Sequence, residues 1–299
     1  METKTIKGMG SALITPFKED DSVDDVKLEE LTELQISGGA DFIVAIGTTA
    51  ESPTLTIEEQ DNIIKIIKAV NKGRIPLVVG VCGNGTNKII HRIKTMDKEG
   101  IDALLCVCPY YNKPTQEGLY RHFKAVSEAS PLPIILYNIP ARAAVNMLPE
   151  TTLRIARECR NIIGIKEASG IVSQIDMIIK QRDPDFIVLS GDDTITYPLI
   201  AMGADGVISV IGNAFPERFS TMVRLARQGD MAAALPIHHL FKELYPLLFV
   251  EGNPSGIKTA MKHMGIINGR LRLPLIPMTD EGSAKMADAL RVIMEQLSR

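Results

Sequence analysis

A chain of 299 residues, 45% hydrophobic and 23% charged, suits one large barrel domain or two ordinary domains and has enough apolar residues for a sizeable core. A net charge of -3 without a basic block argues against nucleic acid as a partner, and no apolar run approaches the roughly 18 residues that cross a bilayer, so no membrane partner is expected. The opening METKTIKGMG lacks the apolar stretch of a secretory leader, which predicts a cytoplasmic location.

The first apolar run is residues 11–15 (SALIT), followed by a helical pattern over 26–36 with Val26, Leu28, Leu31, Leu34 and Ile36 among acids. Residues 41–46 (DFIVAI) form the second run. Thr56 and Glu59 then make a capping box ahead of Ile63, Ile64, Ile66 and Ile67. The third to fifth runs are 76–81 (PLVVGV), 103–107 (ALLCV) and 133–137 (PIILY). Leu148-Pro149 opens a helical stretch, because proline is tolerated in a first turn. The remaining runs are 162–166 (IIGIK), 186–190 (FIVLS) and 206–210 (GVISV), with helical patterns at 171–182 and 217–228.

Each run is near strand length, and continuous apolarity rather than alternation predicts burial on both faces of a parallel sheet. Strand then helix, eight times over, is the order of a (β/α)8 TIM barrel. The alternative is a doubly wound open sheet, which usually carries a GxGxxG turn after its first strand; none is present. After Gln228-Gly229 the alternation stops. The predicted organisation is therefore a catalytic barrel over 1–229 and a C-terminal helical extension over 230–299. Within the latter, 240–250 (LFKELYPLLFV) is too apolar for a lone surface helix and should pack on the barrel or on another subunit.

Cys82, Cys106, Cys108 and Cys159 have neither disulfide nor CxxC spacing and read as buried small hydrophobes. His91, His122, His238, His239 and His263 lack metal-ligand spacing, so no metal or other cofactor is expected.

In a barrel, chemistry sits at the C-terminal ends of the strands. Those ends carry Gly47-Thr48-Thr49-Ala50-Glu51-Ser52, Pro109-Tyr110-Tyr111-Asn112, Tyr137-Asn138-Ile139-Pro140 with Arg142 beyond, Lys166-Glu167, and Gly191-Asp192-Asp193. Lys166 closes an apolar strand, where desolvation lowers an amine's pKa and frees it to form a Schiff base with a carbonyl substrate. The plain alternative is an ion pair with a rim carboxylate such as Asp192. Tyr137, Thr49 and Tyr111 lie on strand ends that can converge into a hydroxyl proton relay, or else are half-buried packing groups. The Gly47-Thr48-Thr49 turn offers N–H groups and hydroxyls to a carboxylate. Arg142 is either a surface ion-pairing residue or a bidentate carboxylate clamp. Asp192-Asp193 reads as a helix cap or rim hydrogen bonding in preference to a Mg²⁺ site.

GTTAES from Gly47, PYYNKPTQEGLYRHF from Pro109, LYNIPAR from Leu136, GIKEASG from Gly164, SGDD from Ser190 and GVISV from Gly206 resemble the dihydrodipicolinate synthase family of pyruvate-dependent aldolases, as do NPSGIK and LRLPLIPMTD near the C-terminus. The resemblance covers essentially the whole chain. It implies that Lys166 forms an imine with pyruvate. It makes Tyr137, Thr49 and Tyr111 the proton relay, with Tyr111 reaching the neighbouring subunit's site. It also implies that Thr48 and Thr49 hold the pyruvate carboxylate, that Arg142 binds the carboxylate of L-aspartate 4-semialdehyde, and that Gly191 and Ile208 line the pyruvate pocket. The implied route is lysine and diaminopimelate biosynthesis, and the implied assembly is a homotetramer of tight dimers. Sister aldolases such as N-acetylneuraminate lyase share the lysine chemistry; a catalytically silent homologue would have lost Lys166, Tyr137 or Arg142.

Two departures stand out. Ala50 occupies a place where the family usually has glycine, so a strained or altered turn is expected. Lysine-inhibited relatives carry histidines and a glutamate where this chain has Ile57, Gln60 and Lys88, which predicts weak or absent feedback by L-lysine.

Overall fold

The computed structural model describes residues 6–298. Eight parallel strands, β1 (Gly8–Ala12), β2 (Phe42–Ala45), β3 (Leu77–Val81), β4 (Ala103–Val107), β5 (Ile134–Asn138), β6 (Ile162–Glu167), β7 (Ile187–Ser190) and β8 (Gly206–Ser209), close into a barrel in chain order. The (β/α)8 class is as the residue pattern predicts, and the open-sheet alternative falls with the pairing of β1 to β8.

Both faces of the strands are buried, which is why the runs lack polar alternation. Phe42, Val44, Val78, Leu105, Ile135, Leu189 and Ile208 fill the barrel interior. Ile43, Val79, Leu104, Leu136, Ile165 and Val188 point outward into the layer shared with the helices. The capping box at Thr56 forms as read: Glu59 N–H donates to Thr56 Oγ1 at 3.2 Å and Thr56 N–H donates to Glu59 Oε2 at 2.9 Å, opening the helix Ile57–Asn71.

The first strand departs from the sequence reading. It runs Gly8–Ala12, not 11–15, and Leu13, Ile14 and Thr15 form buried loop beyond it. Glycine is a poor strand former, yet a Cβ on Gly10 would stand 2.0 Å from the Phe42 ring. A packed neighbour thus selects glycine against its own propensity.

After the helix Pro216–Arg227 come only helices among the described residues: Met231–Leu240, Leu244–Leu247, Ser255–His263 and Asp280–Leu297. The apolar segment 240–250 is not one helix. Its Phe241, Leu244, Tyr245 and Leu248 are fully buried in the same core layer as the outer barrel face, while Phe249 and Val250 are exposed. No helix of the described residues is long and apolar enough to cross a membrane. Three of the cysteines are buried as expected; Cys82 instead is exposed, on the loop after β3 where it borders cavities shared with Ser52 and Tyr110.

Candidate active site

Strand pairing brings the reactive groups together. Tyr137 on β5 lies directly opposite Lys166 on β6, past a register shift between Ile134 and Ile135. Paired residues in a sheet share a face. Both side chains therefore enter the barrel mouth, and the Lys166 Nζ stands 4.4 Å from the centroid of the Tyr137 ring. Lys166 is 6% exposed and makes no ion pair among the described residues. The pairing with Asp192 considered above is absent.

Burial drives the Lys166 pKa down from 10.5 to about 8; the Asp193 carboxylate opposes this and the Arg142 guanidinium adds to it. About one molecule in ten then carries a neutral amine at pH 7, against roughly one in 3000 for an ordinary lysine. Tyr137, also buried, is pushed up to about 12, with its hydrogen-bonding neighbour Thr48 pulling the other way. It is thus a neutral phenol at pH 7.

The two threonines of the turn take different partners. Thr48 is the threonine within hydrogen-bonding reach of the Tyr137 phenol. The Thr49 hydroxyl accepts from Asn253 Nδ2 at 3.0 Å. In the short 3-10 turn Thr48–Ala50, successive side chains diverge, so only one threonine can face the mouth this way. Ala50 itself is not strained. The left-handed residue is Glu51, with φ 58°, and the Ala50 carbonyl accepts from Thr15 Oγ1 at 2.8 Å.

Behind this turn, Glu51 and Lys258 form a fully buried ion pair at 2.5 Å, and Arg272 N–H donates to the second Glu51 oxygen at 3.1 Å. Removing one partner from such a pair strands a charge in the interior. The C-terminal helices therefore hold the turn that carries Thr48. Asn253, the Glu51–Lys258 pair and Asp193 are positioning groups that sequence spacing does not reveal, since their partners lie far off in the chain. Asp193 is 1% exposed and its Oδ2 accepts from the backbone N–H groups of Val210 and Ile211 at 2.9 and 2.8 Å. Burial raises its pKa to about 6.

Arg142, at the end of β5's loop, donates through Nη2 to the Asn253 carbonyl at 3.0 Å and borders two hollows. One is a cavity of about 180 Å³ with Thr48 and Tyr110. The other, of about 660 Å³, is bounded by Gly191, Asp192 and Tyr245. Gly191 must lack a side chain: a Cβ there would lie 2.5 Å from Ala168 Cβ and 3.1 Å from Lys166 Cε. Ile208 is buried in the barrel interior. Asp192 caps the helix Asp193–Ala201 by accepting from Thr194 N–H at 2.8 Å, as the cap reading predicts.

Tyr111 does not join this group within the chain. It stands 88% exposed on the loop after β4, with φ 73°, an unusual conformation for an aromatic residue. Ile57, Gln60 and Lys88 do come together. With Asn84, Arg92 and Tyr110 they line a cavity of about 320 Å³ that holds two cationic side chains and no carboxylate.

The chain matches the dihydrodipicolinate synthetase family over residues 5–293. It is 56% identical over 286 residues to the 4-hydroxy-tetrahydrodipicolinate synthase of Parabacteroides distasonis, covering 96% of each chain. It is also 56% identical to that of Phocaeicola vulgatus, covering 98% of this chain and 97% of the relative. A chloride-inhibited dihydrodipicolinate synthase from Acinetobacter baumannii, complexed with pyruvate, superposes with a TM-score of 0.94 at 41% identity, covering 97% of this chain and 99% of that one. A buried, partly neutral lysine opposite a phenol on a closed barrel, together with matches of this extent, places the chain in the dihydrodipicolinate synthetase family.

Proposed function

We propose that this chain condenses pyruvate with L-aspartate 4-semialdehyde, as a 4-hydroxy-tetrahydrodipicolinate synthase, by imine chemistry on Lys166. The observation that carries this reading is the lysine held near pKa 8 beside the Tyr137 phenol. The neutral amine adds to C2 of pyruvate and the resulting carbinolamine loses water to give an imine. Loss of a C3 proton gives the enamine, whose C3 attacks the aldehyde carbon and forms the new C–C bond. The alkoxide takes a proton and becomes the ring hydroxyl. The substrate's own amino group then attacks the imine carbon and displaces the Lys166 amine, closing the ring.

Tyr137 supplies and recovers protons through Thr48, and Tyr111 of a neighbouring subunit links that relay to solvent. Its exposure within its own chain suits that assignment, and with it a homotetramer built from tight dimers. Thr48 and the Thr48–Thr49 turn receive the pyruvate carboxylate, with Gly191 and Ile208 lining its pocket. Arg142 receives the carboxylate of the semialdehyde. Thr49 supports the turn through Asn253.

Arg142 at the mouth favours the semialdehyde over a sialic acid substrate. A coupled assay decides between them: condensation of pyruvate with the semialdehyde is expected, and cleavage of N-acetylneuraminate without that condensation would overturn the reading. Regulation follows from the cavity around Lys88. A cationic effector would meet Lys88 with no carboxylate in the lining, Arg92 being already paired with Asp61, so activity is expected to stay above half its free value at about 1 mM L-lysine. Half-inhibition below that level would contradict the assignment.

A further inference from the structure

We infer that Asp192 binds the α-ammonium group of the second substrate and thereby restricts the site to an aldehyde that is also an amino acid. This deepens the condensation proposed above and rests on it. The argument begins with the charges around the cavity of about 660 Å³: of the residues bordering it, only Arg142 and Asp192 are charged, one of each sign. Neither makes an ion pair among the described residues. Arg142 donates to the Asn253 carbonyl, and Asp192 uses Oδ1 to cap its helix, leaving Oδ2 without a partner among the described residues.

The same cavity lies next to the stem of the reacting lysine. Gly191, which precedes Asp192 and lines the cavity, packs against the Lys166 stem. L-Aspartate 4-semialdehyde carries a carboxylate and an ammonium on one carbon, two bonds from its aldehyde carbon. A carboxylate held at Arg142 puts the ammonium in this cavity, where an unpaired cation needs an anionic acceptor. Asp192 is the sole carboxylate available there. Asp193 stands apart from it: Asp193 does not border the cavity, is 1% exposed, and gives its Oδ2 to the amides of Val210 and Ile211. The site thus discriminates by matching both charges of a zwitterion, and an aldehyde acid without the amino group leaves Asp192 unpaired.

A helix cap alone would also explain an aspartate here, so the test must separate charge from capping. Asn caps a helix as well as Asp does. Asp192→Asn therefore keeps the cap and removes the charge. The measurements are the KM for L-aspartate 4-semialdehyde, the inhibition constant of succinic semialdehyde, which lacks the ammonium, and the melting temperature. The variant is expected to raise the KM about tenfold while the succinic semialdehyde constant stays within about twofold and the melting temperature is unchanged. Equal weakening toward both aldehydes, or no change toward either, would overturn the inference. Trapping of pyruvate on Lys166 by borohydride is expected to be intact in the variant. If the parent enzyme itself fails to trap pyruvate, the condensation reading fails first and this inference with it.

Discussion

With alanine or arginine in place of Lys166, condensation of pyruvate with L-aspartate 4-semialdehyde is expected to fall by at least about 10³-fold, and borohydride in the presence of pyruvate is expected to leave no mass adduct on the protein. Alanine removes the nucleophile. Arginine keeps a charge at the position but cannot give up its proton. The fold is expected to survive, since Lys166 makes no ion pair among the described residues and its amine is buried at a desolvation cost. A melting temperature at or above the parental value checks that point. The pH dependence carries a definite sign. The reactive species is the neutral amine, so kcat/KM for pyruvate is expected to rise with pH at a slope near one and to level off around pH 8, where Lys166 titrates. A flat profile between pH 6 and 8, or parental turnover in the alanine variant, would sink the imine mechanism.

The second large effect belongs to Tyr137. Tyr137→Phe keeps the ring that packs beside Lys166 and removes only the hydroxyl, so kcat is expected to drop roughly 10²- to 10³-fold with the structure intact. The phenol is protonated at neutral pH because burial holds its pKa near 12. It therefore acts by passing a proton along and regaining one, not by standing ionised. That passage needs a hydroxyl beside it, and the turn supplies Thr48. Thr48→Val is accordingly expected to slow kcat by about the same order, whereas Thr49→Val, which loses only the Asn253 contact, is expected to act mainly by loosening the turn and raising KM. Equal loss of kcat in the two threonine variants would mean that the relay does not run through Thr48.

Much of the architecture could be read from the chain. Runs of Val, Ile and Leu about five residues long, separated by helical patterns, specify a parallel barrel because both strand faces must be buried. Lys166 stood out for the same reason: a cation closing an apolar strand demands an explanation. The strand ends offered Tyr137, Arg142 and Gly191, the family motifs added Ile208 and a role for each, and the fold puts all four at or just inside the barrel mouth.

What local sequence could not provide was anything decided by a distant neighbour. β1 begins at Gly8 because Phe42 lies beneath Gly10, which no propensity around residues 8–12 foretells. The positive φ expected near Ala50 is carried by Glu51, whose carboxylate is tied to Lys258, some two hundred residues later in the chain. Which of two adjacent threonines faces Tyr137 is a matter of side-chain direction in a 3-10 turn, and adjacency in sequence is blind to it. The residues by themselves determined the barrel, the reactive lysine and the kinds of groups around it, because burial and periodicity are written locally. Only the tertiary structure decided which threonine stands beside Tyr137, the support of the turn by the C-terminal helices and the placing of Arg142 and Asp192 on one cavity, because each depends on contacts between segments that the chain keeps far apart.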